Sequence, residues 1–532
     1  MRSAMRSERL RRIAAVAVAW TTLVACAPAV AEAVLHRGGT DDPASLDPHK
    51  IFLPSEFNIV ADLFVGLTTL DAAAKPIPGT AVTWTVSDDG KVYEFRLRDG
   101  LEWSDGRALD SADFLYSFRR MLDPATAYPN AARLYVIRNA ARVNAGDAPI
   151  ESLGVSAPAP DLVRLELEHP APYLLEVLAT YAMPVPAHVL AQGEEGWSRP
   201  RSLVSNGPFV LAEWVPNAYV RVDRNPRFYD AANVSLDAVY HHHPDSAATA
   251  LRRFRAGEFD YVSVVPGEQL EWARENLPSE LKLVRGFGTE LVVFNTRKPP
   301  FDDARIRRAL SMAVDRQILV DKVLRGAEEP AYGLVPPQAV NYPEHAAADF
   351  ASTPMDRRRA EARELIRAAG YGPGRPLEVE LKYTSTDVQQ RVAVALAAMW
   401  KAIGVETRLS GVERKALIAD VQAGRFDAAR YYWLASTSDP ASFLERLRAD
   451  AGPINQAGYA NSDYDRMIDR AETQVDLDER AALLRQAEAL ALSEHPVAPI
   501  YYYGGRRLVA HRVTGFVENP RGVHVSRFLG LK

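Results

Sequence analysis

Residues 431–443 read YYWLASTSDPASF, a run of aromatics that passes into small hydroxyls and then into Asp439-Pro440. Asp before Pro is helix-start chemistry: the carboxylate caps free backbone N–H groups, and proline is preset for a first helical position. Phe426 to Trp433, just before it, has the make-up of a strand. The carboxyl end of a strand beside a helix N-terminus is a common ligand position in α/β sheets. Two readings stand. Either Ser436, Thr437, Ser438 and Asp439 meet a ligand, or they only cap the helix. Trp433 and Tyr503 are large amphipathic rings that could fill a core, but at a strand end beside a cleft they read as a ligand platform.

A second cluster is His241-His242-His243. In a strand adjacent side chains point to opposite faces, so only His241 and His243 could share an ion, and the remaining ligands would be distant carboxylates. The expectation is a solvated strand end stopped by Pro244, with no metal and no cofactor. No Gly-x-Ser-x-Gly elbow, His-Glu-x-x-His pair or phosphate-cradling loop is present, which argues against an enzyme.

The elements that position these residues belong to a chain of 532 residues, several times the roughly 100–200 residues of one domain. With 47% hydrophobic residues, 25% charged residues and a net charge of −5, nothing points to a nucleic-acid partner. Met1 to Arg12 carries five arginines and precedes an apolar run from Ile13 to about Ala27. The run falls short of the ~20 residues that span a bilayer. With Ala29-Val30-Ala31 as a cleavage site, residues 1–31 read as a secretory signal peptide, so a periplasmic location is expected. The alternative is a lipobox ending at Cys26, with a lipid anchor on its thiol. Cys26 is the single cysteine, so no disulfide is expected in the mature chain.

Val92–Leu97 alternates like a strand, and Asp110 to Met121 switches to helical spacing behind a capping Asp. Strands are read at 163–168, 219–224 and 236–243, with helices at 173–178 and 247–256. A βαβ unit spans Pro376 to Leu409, and helices are read at 356–369, 413–423 and 478–492.

Ser45-Leu-Asp-Pro-His-Lys50, Asp62-Leu-Phe-Val-Gly-Leu67, Trp103-Ser-Asp-Gly106, Asn206-Gly-Pro-Phe209, Phe294 to Phe301, Asp315-Arg316, Gly424-Arg-Phe-Asp427 and Pro499 to Tyr503 follow one another in one order. In that order the chain resembles the family 5, peptide- and nickel-type periplasmic solute-binding proteins of ABC importers, the oligopeptide-binding members in particular. The resemblance covers nearly the whole mature chain. It implies an α/β, two-lobed periplasmic-binding-protein-like fold (type II, cluster C) with an extra small α+β domain. Lobe I would comprise 32–64, 190–288 and 501–532, the small domain 65–189, and lobe III 289–500.

The resemblance also implies a non-enzymatic monomer that captures a peptide or peptide-like ligand and delivers it to ABC permease subunits with their cytoplasmic ATPases. Rival readings are a binder of a metal chelate or haem, and a chemosensory or chaperone-like protein that presents ligand without transport. In oligopeptide-binding relatives an aspartate after Trp-x-Ala grips the ligand amine. Here the motif is Trp433-Leu434-Ala435-Ser436, with serine in place of the aspartate. Phe52 stands where those relatives carry a glutamate, Arg414 where they carry a tryptophan, and Arg430 is retained. These residues, with Tyr503 and with Asp439 as a substitute partner for an amine, are the expected ligand contacts. A buried ammonium without a countercharge is costly, so the departure at Ser436 implies a blocked or modified amine, a cell-wall fragment or another anionic solute.

Overall fold

The computed structural model describes residues 32–39, 41–435 and 437–532; the signal-peptide and Cys26 readings, and Ser436, lie outside them. The elements that frame the site, in chain order, are β1 (Val34–Gly38), α1 (Pro54–Leu63), α2 (Leu174–Tyr181), β2 (Phe209–Val215), β3 (Tyr219–Arg224), β4 (Ala238–His242), β5 (Tyr261–Val262) and β6 (Leu281–Phe294). They continue with β7 (Leu377–Thr384), α3 (Asp387–Lys401), β8 (Val405–Val412), α4 (Arg414–Gln422), β9 (Ala428–Leu434), α5 (Ala441–Leu444) and β10 (Val497–Val509). The strands form a sheet in the order β8-β7-β9-β6-β10-β5-β1-β4-β3-β2. The fold is the expected two-lobed α/β architecture.

The two ends of this sheet are each built on parallel strands. At one end β7 lies parallel to β8 and β9, with α3 as the crossover that parallel pairing requires. At the other, β1 lies parallel to β4 and β5. Between them run β6, of 14 residues, and β10, of 13 residues, paired antiparallel and long enough to reach from one end to the other. The ladder is broken twice: Glu290 faces Tyr501 and Leu291 faces Pro499, which leaves Ile500 over, and, more widely, Arg285 faces Gly504 and Thr289 faces Tyr502, so Gly286, Phe287 and Gly288 stand against Tyr503 alone. Extra residues on one strand bend it and raise its twist. A Cβ at Gly286 would lie 3.0 Å from the Tyr503 carbonyl oxygen, so glycine permits the close approach.

Alternation along β6 divides the core. Val292 and Phe294 pack with Leu381, Leu396, Trp400 and Ile500 on one face, whereas Leu291 and Val293 pack with Trp433, Tyr464 and Leu484 on the other. Both faces are covered, which is why residues 287–294 are all buried. The small α+β unit contains an antiparallel sheet ordered Ala81–Val86, Val92–Leu97, Leu162–Glu166, Val155–Ala159. Its helix Ser111–Leu122 is capped as expected, the Asp110 carboxylate accepting from Ala112 N at 2.8 Å. Phe95, Trp103 and Phe114 there share one core with Leu35, Val220 and Val239 of the sheet.

The expectation of a solvated histidine strand end is corrected. His241, His242 and His243 are 5, 9 and 8% exposed, because β4 is an inner strand whose end is covered by the segments after β1 and β5. His241 Nε2 lies 3.0 Å from Asp62 Oδ2, and His242 stacks on His36 and Tyr240. Among the described residues no group of three or more His, Cys, Asp and Glu side chains is placed to hold a metal.

Burial lowers the pKa of His49 to about 4 and those of His242, His495 and His524 to about 3. Unfolded rings protonate near 6.5, so between 6.5 and these lowered values the unfolded state binds more protons. Stability therefore falls as pH drops through that window, by up to about 1.4 kcal/mol per pH unit for each ring. Urea midpoints should decline steadily from pH 7 to pH 4. A flat profile would show that these rings are not held neutral.

Candidate ligand cleft

The parity of β9 decides which predicted residues meet. Its register against β6 pairs Arg430 with Val292, Tyr432 with Glu290 and Leu434 with Gly288. Arg430, Tyr432, Leu434 and Glu290 therefore share one face. Trp433 points to the other, whereas the Tyr431 ring, despite its parity, lies stacked on that of Tyr432 with centroids 5.8 Å apart.

On the first face lies a cavity of about 330 Å³ lined by Glu290, Arg414, Arg430, Tyr432, Leu434 and Tyr503. It shares Gln389 and Tyr503 with a larger one of about 850 Å³, which reaches Glu268, Lys322 and Arg506. The floor is a buried network. Arg430 Nη2 lies 2.5 Å from Glu290 Oε1, with both side chains at most 1% exposed. Arg430 also donates to the Tyr501 hydroxyl, and to the Gln389 carbonyl at 3.3 Å. The Tyr503 hydroxyl donates to Glu290 Oε2 at 3.0 Å. Burial pushes the Glu290 carboxyl up, and the Arg430 charge and the Tyr503 hydrogen bond pull it back. Tyr503 is pushed well above the ordinary phenol range by burial and by Glu290. The pair is thus a fixed, internally neutral floor, and Arg430 is committed before any ligand arrives.

Arg414 begins α4 behind Glu413, whose carboxylate accepts from Lys415 N at 2.7 Å. Its side chain is exposed, yet it reaches over the Tyr432 ring, 5.3 Å from the centroid, and donates to the Tyr432 hydroxyl. That places a cation on the cavity rim.

Three expected contacts are placed elsewhere. Trp433 is 1% exposed in the core, its Nε1 donating to Gln456 Oε1 at 3.1 Å. The period of two that turns Arg430 to the cavity turns Trp433 away. Asp439 is held bidentately by Arg480, at 2.8 and 2.9 Å, and also accepts from Ala441 N, but the N-cap of α5 is Pro440, one residue later than the sequence suggests. Asp439 does not stand free to meet an amine. Phe52 is 68% exposed and lines neither cavity. Ala435 contributes backbone, its N lying 3.5 Å from the Phe287 carbonyl oxygen beside the β6 bulge.

Sequence reasoning missed two acids. One is Glu290. The other is Glu176 on α2, whose carboxylate accepts from Ser438 N and Oγ at 2.9 Å and pairs with Arg521 Nη1 at 2.7 Å. Glu176 thereby joins the small α+β unit, the segment after β9 and the C-terminal region. A lone acid in the apolar run LLEVLATY was the available signal.

The model of the bacterial extracellular solute-binding proteins, family 5 (middle), matches residues 75–454. A probable deoxycholate-binding periplasmic protein, YgiS of Escherichia coli K12, is 37% identical over 510 residues, 95% of this chain and 95% of that protein. The solved murein tripeptide-binding protein MppA of Escherichia coli superposes with a TM-score of 0.80 at 33% identity, covering 94% of this chain and 99% of that one. Haemophilus influenzae OppA, solved in complex with the peptide RPPGFSPFR, gives 0.78 at 29% identity over 94% and 99% of the two chains.

Proposed function

The chain belongs to the family 5 bacterial extracellular solute-binding proteins, and on that premise we propose that it captures a peptide-like, anionic solute lacking a free amine and delivers it to an ABC importer. One observation carries the choice of solute. Among the described residues, Glu290 pairs with Tyr432, Glu176 binds Ser438 and Asp439 lies in the same segment, and each is already neutralised: Glu290 by Arg430, Asp439 by Arg480 and Glu176 by Arg521. An ammonium entering here would displace an arginine or stay uncompensated, and either is costly in a closed cleft. Arg414 adds positive charge at the rim.

One named relative fits such a solute. YgiS, the relative described as a probable binder of deoxycholate, a carboxylate without an amine, supports the amine-free reading, whereas MppA, described as binding a murein tripeptide, supports only the peptide-like part of it. In this reading lobe I comprises residues 32–64, 190–288 and 501–532, the small domain 65–189 and lobe III 289–500, with the β6–β10 bulge as the hinge. The protein is a non-catalytic periplasmic monomer, exported by the signal at 1–31. Its partners are two permease subunits and their ATPases.

The test is native mass spectrometry of the protein purified from its own host, followed by denaturation to release what is bound. A single amine-free or anionic species is expected. A mixture of free-amine peptides would overturn the choice of solute, and haem or a metal chelate would overturn the peptide-like reading altogether.

A further inference from the structure

The carboxyl ends of β1, β4 and β5 open into a separate cavity of about 310 Å³. Its lining holds three arginines, Arg37, Arg507 and Arg521, against one acid, Asp41. Arg37 is spent on structure: it donates to the His524 carbonyl at 2.8 Å and to Ser526 Oγ at 2.7 Å, with Asp62 4.0 Å away. Arg521 is paired with Glu176. Arg507 differs. Its Nη1 lies 3.3 Å from His524 Nε2, and among the described residues no carboxylate forms an ion pair with it. Gly522, at φ +68°, faces its guanidinium so closely that an added Cβ would collide with Nη2.

Two further groups in the lining are unsatisfied. His243 has a side chain 4% exposed, and neither ring nitrogen has a hydrogen-bond partner among the described residues; Asp42 Oδ1 stands off at 3.8 Å. Ser55 Oγ, near the start of α1, is likewise buried without a partner. Buried polar atoms are nearly always hydrogen-bonded, and the exceptions concentrate where a ligand or function supplies the partner. Here an unpaired cation, a hydroxyl and an imidazole converge on one concavity at the strand ends where α/β lobes take ligands.

We propose that this cavity is the subsite for the solute's oxyanion, a carboxylate or its chemical equivalent, with Arg507 supplying the charge and Ser55 and His243 the hydrogen bonds. The inference rests on the reading of the chain as a carrier of an anionic solute and names where the anion is held. A chain of contacts runs from the cavity to the Tyr432–Asp439 segment: Arg521 in its lining pairs with Glu176, which binds Ser438. An anion here therefore lies one ion pair away from the segment that bounds the other lobe.

Sodium acetate, inorganic phosphate, acetyl-trialanine and acetyl-trialanine amide serve as probes, with calorimetric titration of the full chain and of Arg507→Gln, Ser55→Ala and Gly522→Ala. Acetyl-trialanine should bind and its amide should not. Arg507→Gln should weaken the acid by about tenfold or more, the order expected for one lost charge-assisted hydrogen bond. Gly522→Ala, which keeps the charge and displaces it, should act in the same direction. Equal binding of acid and amide, or a response unchanged in Arg507→Gln and Gly522→Ala, overturns the subsite. So does binding of acetate or phosphate without the peptide acid, which would mark a site for small inorganic or organic anions alone. If the host-derived ligand carries a free amine while the acid-over-amide preference persists and is lost in Arg507→Gln, the choice of solute falls and the subsite stands.

Discussion

Glu290→Gln is expected to destabilise the protein by about 3–5 kcal/mol, the range for removing one partner of a buried ion pair. The carboxylate and the Arg430 guanidinium are each at most 1% exposed. Glutamine preserves shape and can still accept from the Tyr503 hydroxyl, so the loss isolates charge. What remains is an arginine with neutral partners in Tyr501 and the Gln389 carbonyl. The double variant Glu290→Leu/Arg430→Met should recover most of the loss, because an apolar pair of similar volume carries no desolvation penalty. Guanidinium denaturation followed by tryptophan fluorescence reads both, and Trp433 reports from the opposite face of the same strand. A single variant as stable as the parent would show that the pair makes no net contribution. A double variant no better than the single would assign the loss to packing.

Ser436→Asp is the second large effect expected, and it acts on binding. Among the described residues, Glu290, Glu176 and Asp439 beside or within the Tyr432–Asp439 segment are each matched by an arginine, so a new carboxylate at position 436 would be one without such a partner. A desolvated charge pair is worth about 3 kcal/mol, or roughly 100-fold in affinity. Free-amine trialanine should gain by that order in calorimetric titration. Its acetylated counterpart should gain nothing, and should lose if its carboxylate lies within reach of the new charge. Equal affinity of both peptides for parent and variant would remove position 436 from amine recognition.

How far the sequence carries can be judged from single residues. Strand β3 and the cap at Asp110 were legible because alternation and capping are local chemistry. The βαβ unit of β7, α3 and β8 was legible because its two periodicities differ so plainly. The face of Trp433 could have been counted from Arg430, three residues earlier. What could not be counted was which of the two faces opens to the cavity. That depends on the pairing of Glu290 with Tyr432, a contact between residues 142 positions apart. The same holds for Asp439 and Arg480, and for Glu176 and Ser438. In each case the partner is set by the assembled sheet, and no local pattern announces it. The histidines misled for a related reason. Polar residues before a proline resemble a strand end in water, yet neighbouring segments cover them.

The β6 and β10 crossing also has a mechanical consequence. The first and last described segments both belong to the β1 end of the molecule: β1 packs near Gly530–Leu531, and the β7–β9 end is an excursion that leaves along β6 and returns along β10. A load applied to the two chain ends therefore acts on the β1 end and bypasses the excursion. Its helices and parallel strands carry no tension until that first end has come apart. Single-molecule pulling should accordingly show the β7–β9 end yielding last, as a separate step whose contour length is fixed by the residues between the two crossings.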